Sequence, residues 1–270
     1  VNPVCFKIGA VTVHWYGVLM AAGFAAGLAN WVVLGRREGR NYTYCADLLF
    51  WIMVAGLVGA RAAYVLTEWG EFRDDPLSVF AVWRGGLIYY GGFAGALAAI
   101  VVFARRGGES AAGLFDFVVT SVPLGHALGR VGCFLNGCCF GAVHAGAAAV
   151  RYPAQSYPWL IQVHTLALGR EEAHGLPVHP VQLYEAGFNL ALAAVLNAAY
   201  RRRHREGGVA ALYLLLYAPA RFLLESLRGD PRAHWLGLSV GRLVSLVLAA
   251  VGAAAWAWSR RRGREVDRGR

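Results

Sequence analysis

The densest chemistry in this sequence lies between Gly125 and Gly141, GHALGRVGCFLNGCCFG, where one arginine, three cysteines and five glycines interrupt an apolar stretch. Arg130 has no acidic residue within a helical turn, and the surrounding glycines let backbone and ligand approach closely. A guanidinium in such a setting suits a phosphate, which it grips through paired hydrogen bonds. Other charges also stand inside apolar runs: Arg61 in GLVGARAAYV, and Arg221, Glu225 and Arg228 in YAPARFLLESLR. Arg221 and Glu225 are four residues apart, so on a helix they share a face and can pair, and Arg228 continues that stripe. A charge left bare at the bilayer centre costs at least about 2.5–3.5 kcal/mol, so these groups must turn toward each other, water or a ligand. Taken alone, the Arg221–Glu225 pair also reads as a lock between two helices.

Polar and aromatic residues gather at the starts of three apolar stretches: His14, Trp15 and Tyr16; Gly85, Gly86, Tyr89 and Tyr90; and His179, Gln182, Tyr184 and Glu185. An interfacial aromatic belt accounts for Trp15 or Tyr16 singly. It does not call for His, Gln, Glu and Arg together. The cysteines number five, with Cys5 and Cys45 apart from the trio Cys133, Cys138 and Cys139. The trio's spacing matches no common zinc signature, so a disulfide between Cys133 and one of the adjacent pair, or plain thiols, is the simpler expectation, and no metal is expected.

The elements that must position these residues follow from composition. The chain is 57% hydrophobic and 16% charged, more apolar than an ordinary soluble domain. Its net charge of +10 is distributed as short arginine clusters between apolar runs, the pattern of cytoplasmic membrane loops rather than of a nucleic-acid-binding face. A membrane-spanning helix needs about 20 mostly apolar residues. Seven stretches qualify or come close: 10–34, 47–67, 87–104, 111–128, 181–200, 209–227 and 238–258. The first is too long for a cleavable signal and serves as an uncleaved anchor.

Clusters at Arg36, Arg37 and Arg40, at Arg105 and Arg106, at 201–205 and in the tail hold more than half of the 26 basic residues. They fall on one side of a seven-pass topology, which places the N-terminus outside and the C-terminus in the cytoplasm. The expected fold is therefore an all-α integral membrane protein of one domain, 1–270. It carries an outer loop or small cap, 129–180, between the fourth and fifth helices, and a basic cytoplasmic tail, 259–270. The acidic loop 68–83 reads as a solvated face.

Taken in order, the motifs HWYG, GARAAYV, WRGGLIYYGG, GRVGCFLNG, HPVQLYE and YAPARFLLESLR resemble those of the prolipoprotein diacylglyceryl transferase family over nearly the whole chain. The resemblance implies an enzyme of the bacterial cytoplasmic (inner) membrane with its active site toward the outer leaflet and lateral lipid entry. It would transfer an sn-1,2-diacylglyceryl group from phosphatidylglycerol to the lipobox cysteine of a preprolipoprotein and release glycerol phosphate. Its partners would be phosphatidylglycerol, lipobox signal peptides and membrane lipids, with no cofactor and no nucleic acid. Carried over by position, Arg130 and Arg221 hold the phosphate. Tyr16, Arg61, Asn136, Gly141, Tyr217 and Glu225 line the lipid site, and Glu185 and Arg228 support it.

Three positions depart from the family pattern. Tyr90 stands where the family commonly has a histidine, Cys133 where it has an asparagine, and Cys138 where it has a glutamate. Tyr90 takes the catalytic place, yet a phenol near pKa 10 is a poor base unless an arginine lowers it. His14, His126, His179 or the arginine field are the other routes to a thiolate. Three further readings stand beside the transferase: a divergent paralogue using another lipid or acceptor, a membrane thiol redox protein, and a small-solute transporter. A transporter would carry polar groups through both halves of the membrane, whereas here they gather at one end.

Overall fold

A computed structural model describes residues 3–9, 11–166, 168–203, 205–235 and 237–268, with side chains as far as 261. The described chain begins with a hairpin, β1 (Val4–Ile8) and β2 (Val11–His14), whose antiparallel register pairs Ile8 with Val11 and Val4 with His14. Helices α1 (Trp15–Gly35) and α2 (Tyr42–Thr67) follow, then the short α3 (Trp69–Phe72) and two 3-10 turns before α4 (Tyr89–Arg106). Next come α5 (Ala111–Val119), α6 (Val122–Asn136), α7 (Tyr157–Thr165), α8 (Val181–Arg201) and α9 (Gly208–Glu225). A second hairpin, β3 (His234–Trp235) with β4 (Leu238–Ser239), leads into α10 (Val240–Arg268).

Among the described residues, five helical stretches are long and apolar enough to cross a membrane: Trp15–Glu38, Tyr42–Thr67, Ala111–Asn136, Gly208–Glu225 and Val240–Arg261. The other two expected spans fall on α4 and α8. Helix α4 opens on Tyr-Tyr-Gly-Gly and closes on two arginines, while α8 carries Gln182, Glu185, Asn189 and Asn197 within its apolar run.

The chain divides into two compact units, Trp31–Phe115 and Val1–Asn30 with Asp116–Arg270. In the first, α2 and α4 pack through small residues. A methyl group at Gly59, Gly91 or Gly95 would meet main-chain or alanine atoms of the facing helix, so these glycines set how closely the two backbones approach. Arg40 and Tyr44 share Glu109, which Arg40 reaches at 2.6 Å.

In the second unit α8 packs on α6 and on α9, and α9 packs on α10. The fourth expected span is two helices, because the chain breaks at Thr120–Ser121 and Pro123 occupies the first turn of α6, where its missing N–H costs nothing. The break is sealed internally. Asn30 Nδ2 donates to Ser121 Oγ (3.0 Å), Ser121 Oγ to the Gly27 carbonyl (3.0 Å) and Asn197 Nδ2 to the Thr120 carbonyl (3.1 Å).

Two boundaries differ from the sequence expectation. Residues 11–14 form a strand, so α1 begins at Trp15 rather than near residue 10. Helix α6 runs to Asn136, so Arg130 lies within a helix and not at the head of an outer loop. Gly129 and Gly132 do not end α6; they admit α1, since a side chain on Gly132 would press on Tyr16 and one on Gly129 on Met20. What ends the helix is Gly137. At φ 77° its N–H reaches the Phe134 carbonyl while the Cys138 N–H reaches that of Cys133, the two bonds of a Schellman turn.

The segment that follows folds on itself around Phe140, Tyr152 and Val178, with Ile161 of α7 packed against them. Val178 bridges both Val143 and Val150.

Candidate active site

The HPVQLYE motif starts α8 and buries a polar stripe on it. Gln182, Glu185 and Asn189 recur at helical spacing and are essentially inaccessible. Gln182 Nε2 donates to the Cys138 carbonyl (2.7 Å) and to Tyr152 Oη (3.1 Å), fastening the segment after α6 to the head of α8. Burial pushes the Tyr152 phenol up to about 12 against the pull of the Gln182 bond, so it stays neutral. One turn further along, Glu185 meets α6.

There, Arg130 and His126, four residues apart on one helical face, converge on its carboxylate. Arg130 Nε lies 2.9 Å from Glu185 Oε2, and His126 Nε2 lies 3.2 Å from Oε1. Arg130 Nε also lies 3.1 Å from His126 Nε2. The three groups close a triangle in which the proton on Nε2 decides whether His126 accepts from the arginine or donates to the carboxylate. Removing Arg130 leaves the buried Glu185 carboxylate without its charged counterpart, and removing Glu185 leaves Arg130 without its own.

A second pair lies on α9. Arg221 Nη2 is 2.8 Å from Glu225 Oε2, the i,i+4 contact expected from the spacing. Arg221 Nη1 is buried and has no hydrogen-bond partner, so this guanidinium keeps a donor beyond its carboxylate. Tyr217, one turn earlier on α9, faces the His126 ring with centroids 5.6 Å apart, which brings α9 to the triangle. Glu225 is 6% exposed, and a side chain on Gly241 of α10 would collide with its carboxylate.

The remaining sequence candidates lie in different settings. Tyr16 packs on Gly132 and is 42% exposed. Asn136 is the exposed last residue of α6. Gly141 is a main-chain junction: its N–H donates to the His179 carbonyl, it bridges Arg228, and a Cβ there would strike His179 and Val181.

Arg228 does not continue the α9 stripe, because α9 ends at Glu225; instead it grips Asp230 with two hydrogen bonds of 2.8 Å. Asp230 was not anticipated, since a partner two residues away in a turn leaves no helical spacing to read. Arg61 and Tyr90 belong to the other unit. Arg61 is buried and gives its N–H groups to backbone carbonyls: Nε to Val79, Nη2 to Ser78, and Nη1 to Gly85 and Gly86, at 2.7–3.1 Å. It thereby fixes the loop leading to Tyr90, which opens α4, is 56% exposed and stacks edge-on with Tyr89.

Of the histidines considered as a base, His126 alone joins the triangle. His179 stacks on His144 with centroids 3.8 Å apart, and burial together with its neighbour lowers its pKa. His14 ends β2. Of the two expectations for the cysteine trio, plain thiols are what is seen: Cys133, Cys138 and Cys139 are free, with their sulfurs close together at the end of α6.

The protein-family model that matches, over residues 3–258, describes prolipoprotein diacylglyceryl transferase. Curated relatives named phosphatidylglycerol–prolipoprotein diacylglyceryl transferase match along nearly the full length. One from Proteus mirabilis is 34% identical over 97% of this chain and 93% of its own. Another, from a Synechocystis species, is 34% identical over 95% and 89%, and one from Bacillus licheniformis is 30% identical over 99% and 96%.

Proposed function

The chain belongs to the prolipoprotein diacylglyceryl transferase family, and we propose that it transfers the sn-1,2-diacylglyceryl group of phosphatidylglycerol to a cysteine thiol of a prolipoprotein. The observation that carries this reading is a pair of half-buried arginines on buried carboxylates, Arg130 held through Nε by Glu185 and His126, and Arg221 held through Nη2 by Glu225. Each is anchored on one side, which leaves terminal nitrogens for a phosphate.

In the transfer the acceptor sulfur, as thiolate, attacks the glyceryl carbon that bears the phosphate. A C–S bond forms as the C–O bond breaks, and the electron pair leaves on the phosphate oxygen of glycerol phosphate. The phosphate thereby gains a negative charge, and donors already aimed at that oxygen stabilise the transition state more than the ground state. Glu185 and His126 orient Arg130, and Glu225 orients Arg221. Tyr16, Asn136, Gly141 and Tyr217 line the lipid site. Arg228 supports it through the Gly141 junction, and by their positions in the family motifs Arg61 is assigned to substrate binding and Tyr90 takes the place of the family's histidine.

In this reading the helices make seven passes, with the N-terminus outside, residues 259–270 in the cytoplasm and the folded segment after α6 forming an outer cap. The charge bias of the loops supports that orientation. The membrane is the bacterial cytoplasmic membrane, and the acceptor is the lipobox cysteine of a signal peptide.

The test is incubation of purified protein with phosphatidylglycerol and a lipobox peptide, following glycerol phosphate release and the peptide's mass. Thioether product that disappears in Arg130→Ala and Arg221→Ala supports the reading. Absence of product under conditions that sustain a relative, or full activity in both variants, refutes it.

A further inference from the structure

The three cysteines at the end of α6 are not used by the reaction described above. Their sulfurs all lie within 4.8 Å of one another, and none is in a disulfide. Part of this follows from the helix end, because a Schellman turn brings the residues at its two closing positions, here Cys133 and Cys138, into contact. That geometry does not account for Cys139. It is one of two described non-glycine residues with positive φ, at 61°, a conformation a side chain rarely adopts, and its sulfur completes the cluster.

The Arg130 and Arg228 guanidinium groups lie near the trio. The cluster also sits at the C-terminal, negative end of α6, where a cation is favoured.

We propose that Cys133, Cys138 and Cys139 bind a thiophilic d10 cation, zinc or copper(I), as three thiolates, with a fourth position open. Soft thiolate sets select these ions, and three protein ligands with an open position is the arrangement in which zinc activates what it binds. Loading releases the protons of the three thiols to solvent. Arg130 and Cys133 are three residues apart on α6, so the open position lies beside the arginine assigned to the phosphate.

Resting on the function proposed above, the acceptor cysteine enters that position, gives its proton to solvent and is held as a metal-bound thiolate. The same sulfur then forms the C–S bond as the C–O bond to phosphate breaks. This supplies a thiolate without a base at Tyr90.

The experiment is metal analysis of the protein purified in detergent under reductant, with cobalt(II) in place of zinc as the spectroscopic probe. One equivalent of zinc or copper per chain is expected, retained in Cys45→Ser and lost in Cys139→Ser, together with a sulfur-to-cobalt charge-transfer band that Cys139→Ser lacks. A rise in the melting temperature of the wild-type protein on adding zinc, absent in Cys139→Ser, reads the same site without relying on the variant's yield.

A cysteine-containing lipobox peptide is expected to shift the cobalt band, and its serine counterpart to leave it unchanged. Absence of both metal and cobalt band, a disulfide among the three cysteines in place of metal, or no shift with the cysteine peptide would overturn the proposal. Full transfer activity after complete metal removal would also overturn it while leaving the transferase reading intact. Failure of transfer by metal-loaded and metal-free protein alike, with the band and its shift present, would instead count against the transferase reading.

Discussion

Arg61 and Arg130 are both sunk in apolar helices, one in each compact unit, and they differ in what neutralises them. Arg61 meets carbonyl dipoles of a single loop, with Phe72 and Tyr64 beside its guanidinium. Arg130 meets a carboxylate and an imidazole on two helices. Main-chain dipoles carry no net charge and no titration, so Arg61 is a clamp whose loss is felt as loosened structure. A charged and a titratable partner hold Arg130 in place and let its local charge balance respond to a ligand. Burial of an arginine therefore does not by itself identify a functional site; the chemistry of its partners does.

Glu185→Gln should break this contrast most strongly. It leaves Arg130 and His126 without their buried carboxylate and should lower stability by about 3 kcal/mol, measured by denaturant unfolding in detergent, with turnover falling as well. Arg61→Ala should come next, at about 3 kcal/mol, since four hydrogen bonds from a charged donor are lost together. Limited trypsin digestion should then cut faster at Arg84, which lies within the released loop, and at Arg73 just before it.

Gly59→Val should cost about 1–3 kcal/mol by forcing α2 away from α4, read as a lowered melting temperature with no change in substrate affinity. The smallest effect is expected at the His144–His179 stack. Its depressed His179 pKa means that the folded state favours the neutral ring. The associated stability is present above the ordinary histidine range and is lost as pH falls through the folded value. Melting should therefore drop slightly between pH 7.5 and pH 5, and His144→Gln should reduce that dependence.

The sequence made Arg130 conspicuous because a lone charge among glycines has no local explanation, and it paired Arg221 with Glu225 through the helical period. It also carried His126 four residues before Arg130, a spacing that becomes meaningful only once Glu185 is known to face both. The glycines at 129 and 132 read as room for a ligand beside Arg130, yet they serve contact with α1, a tertiary fact that local propensity does not contain. Arg228 looked like the next residue of a stripe until the helix stopped at Glu225 and Asp230 took the charge. Gln182 reaching the carbonyl of Cys138, 44 residues earlier, has no sequence signature. Five of the seven expected stretches fall on described helices long and apolar enough to cross a membrane, and on α4 and α8 the residues that build structure and site dilute the apolar signal.

The most direct test compares Arg130→Lys with Arg61→Lys, each keeping the charge and losing the planar fork, by measuring glycerol phosphate release alongside thermal unfolding. Arg130→Lys should lose about 100-fold in turnover with its melting temperature near that of the wild type. Arg61→Lys should melt earlier while its folded fraction turns over at close to the wild-type rate. Turnover retained by Arg130→Lys, together with turnover lost by a stably folded Arg61→Lys, would contradict the assignment of the phosphate site to Arg130.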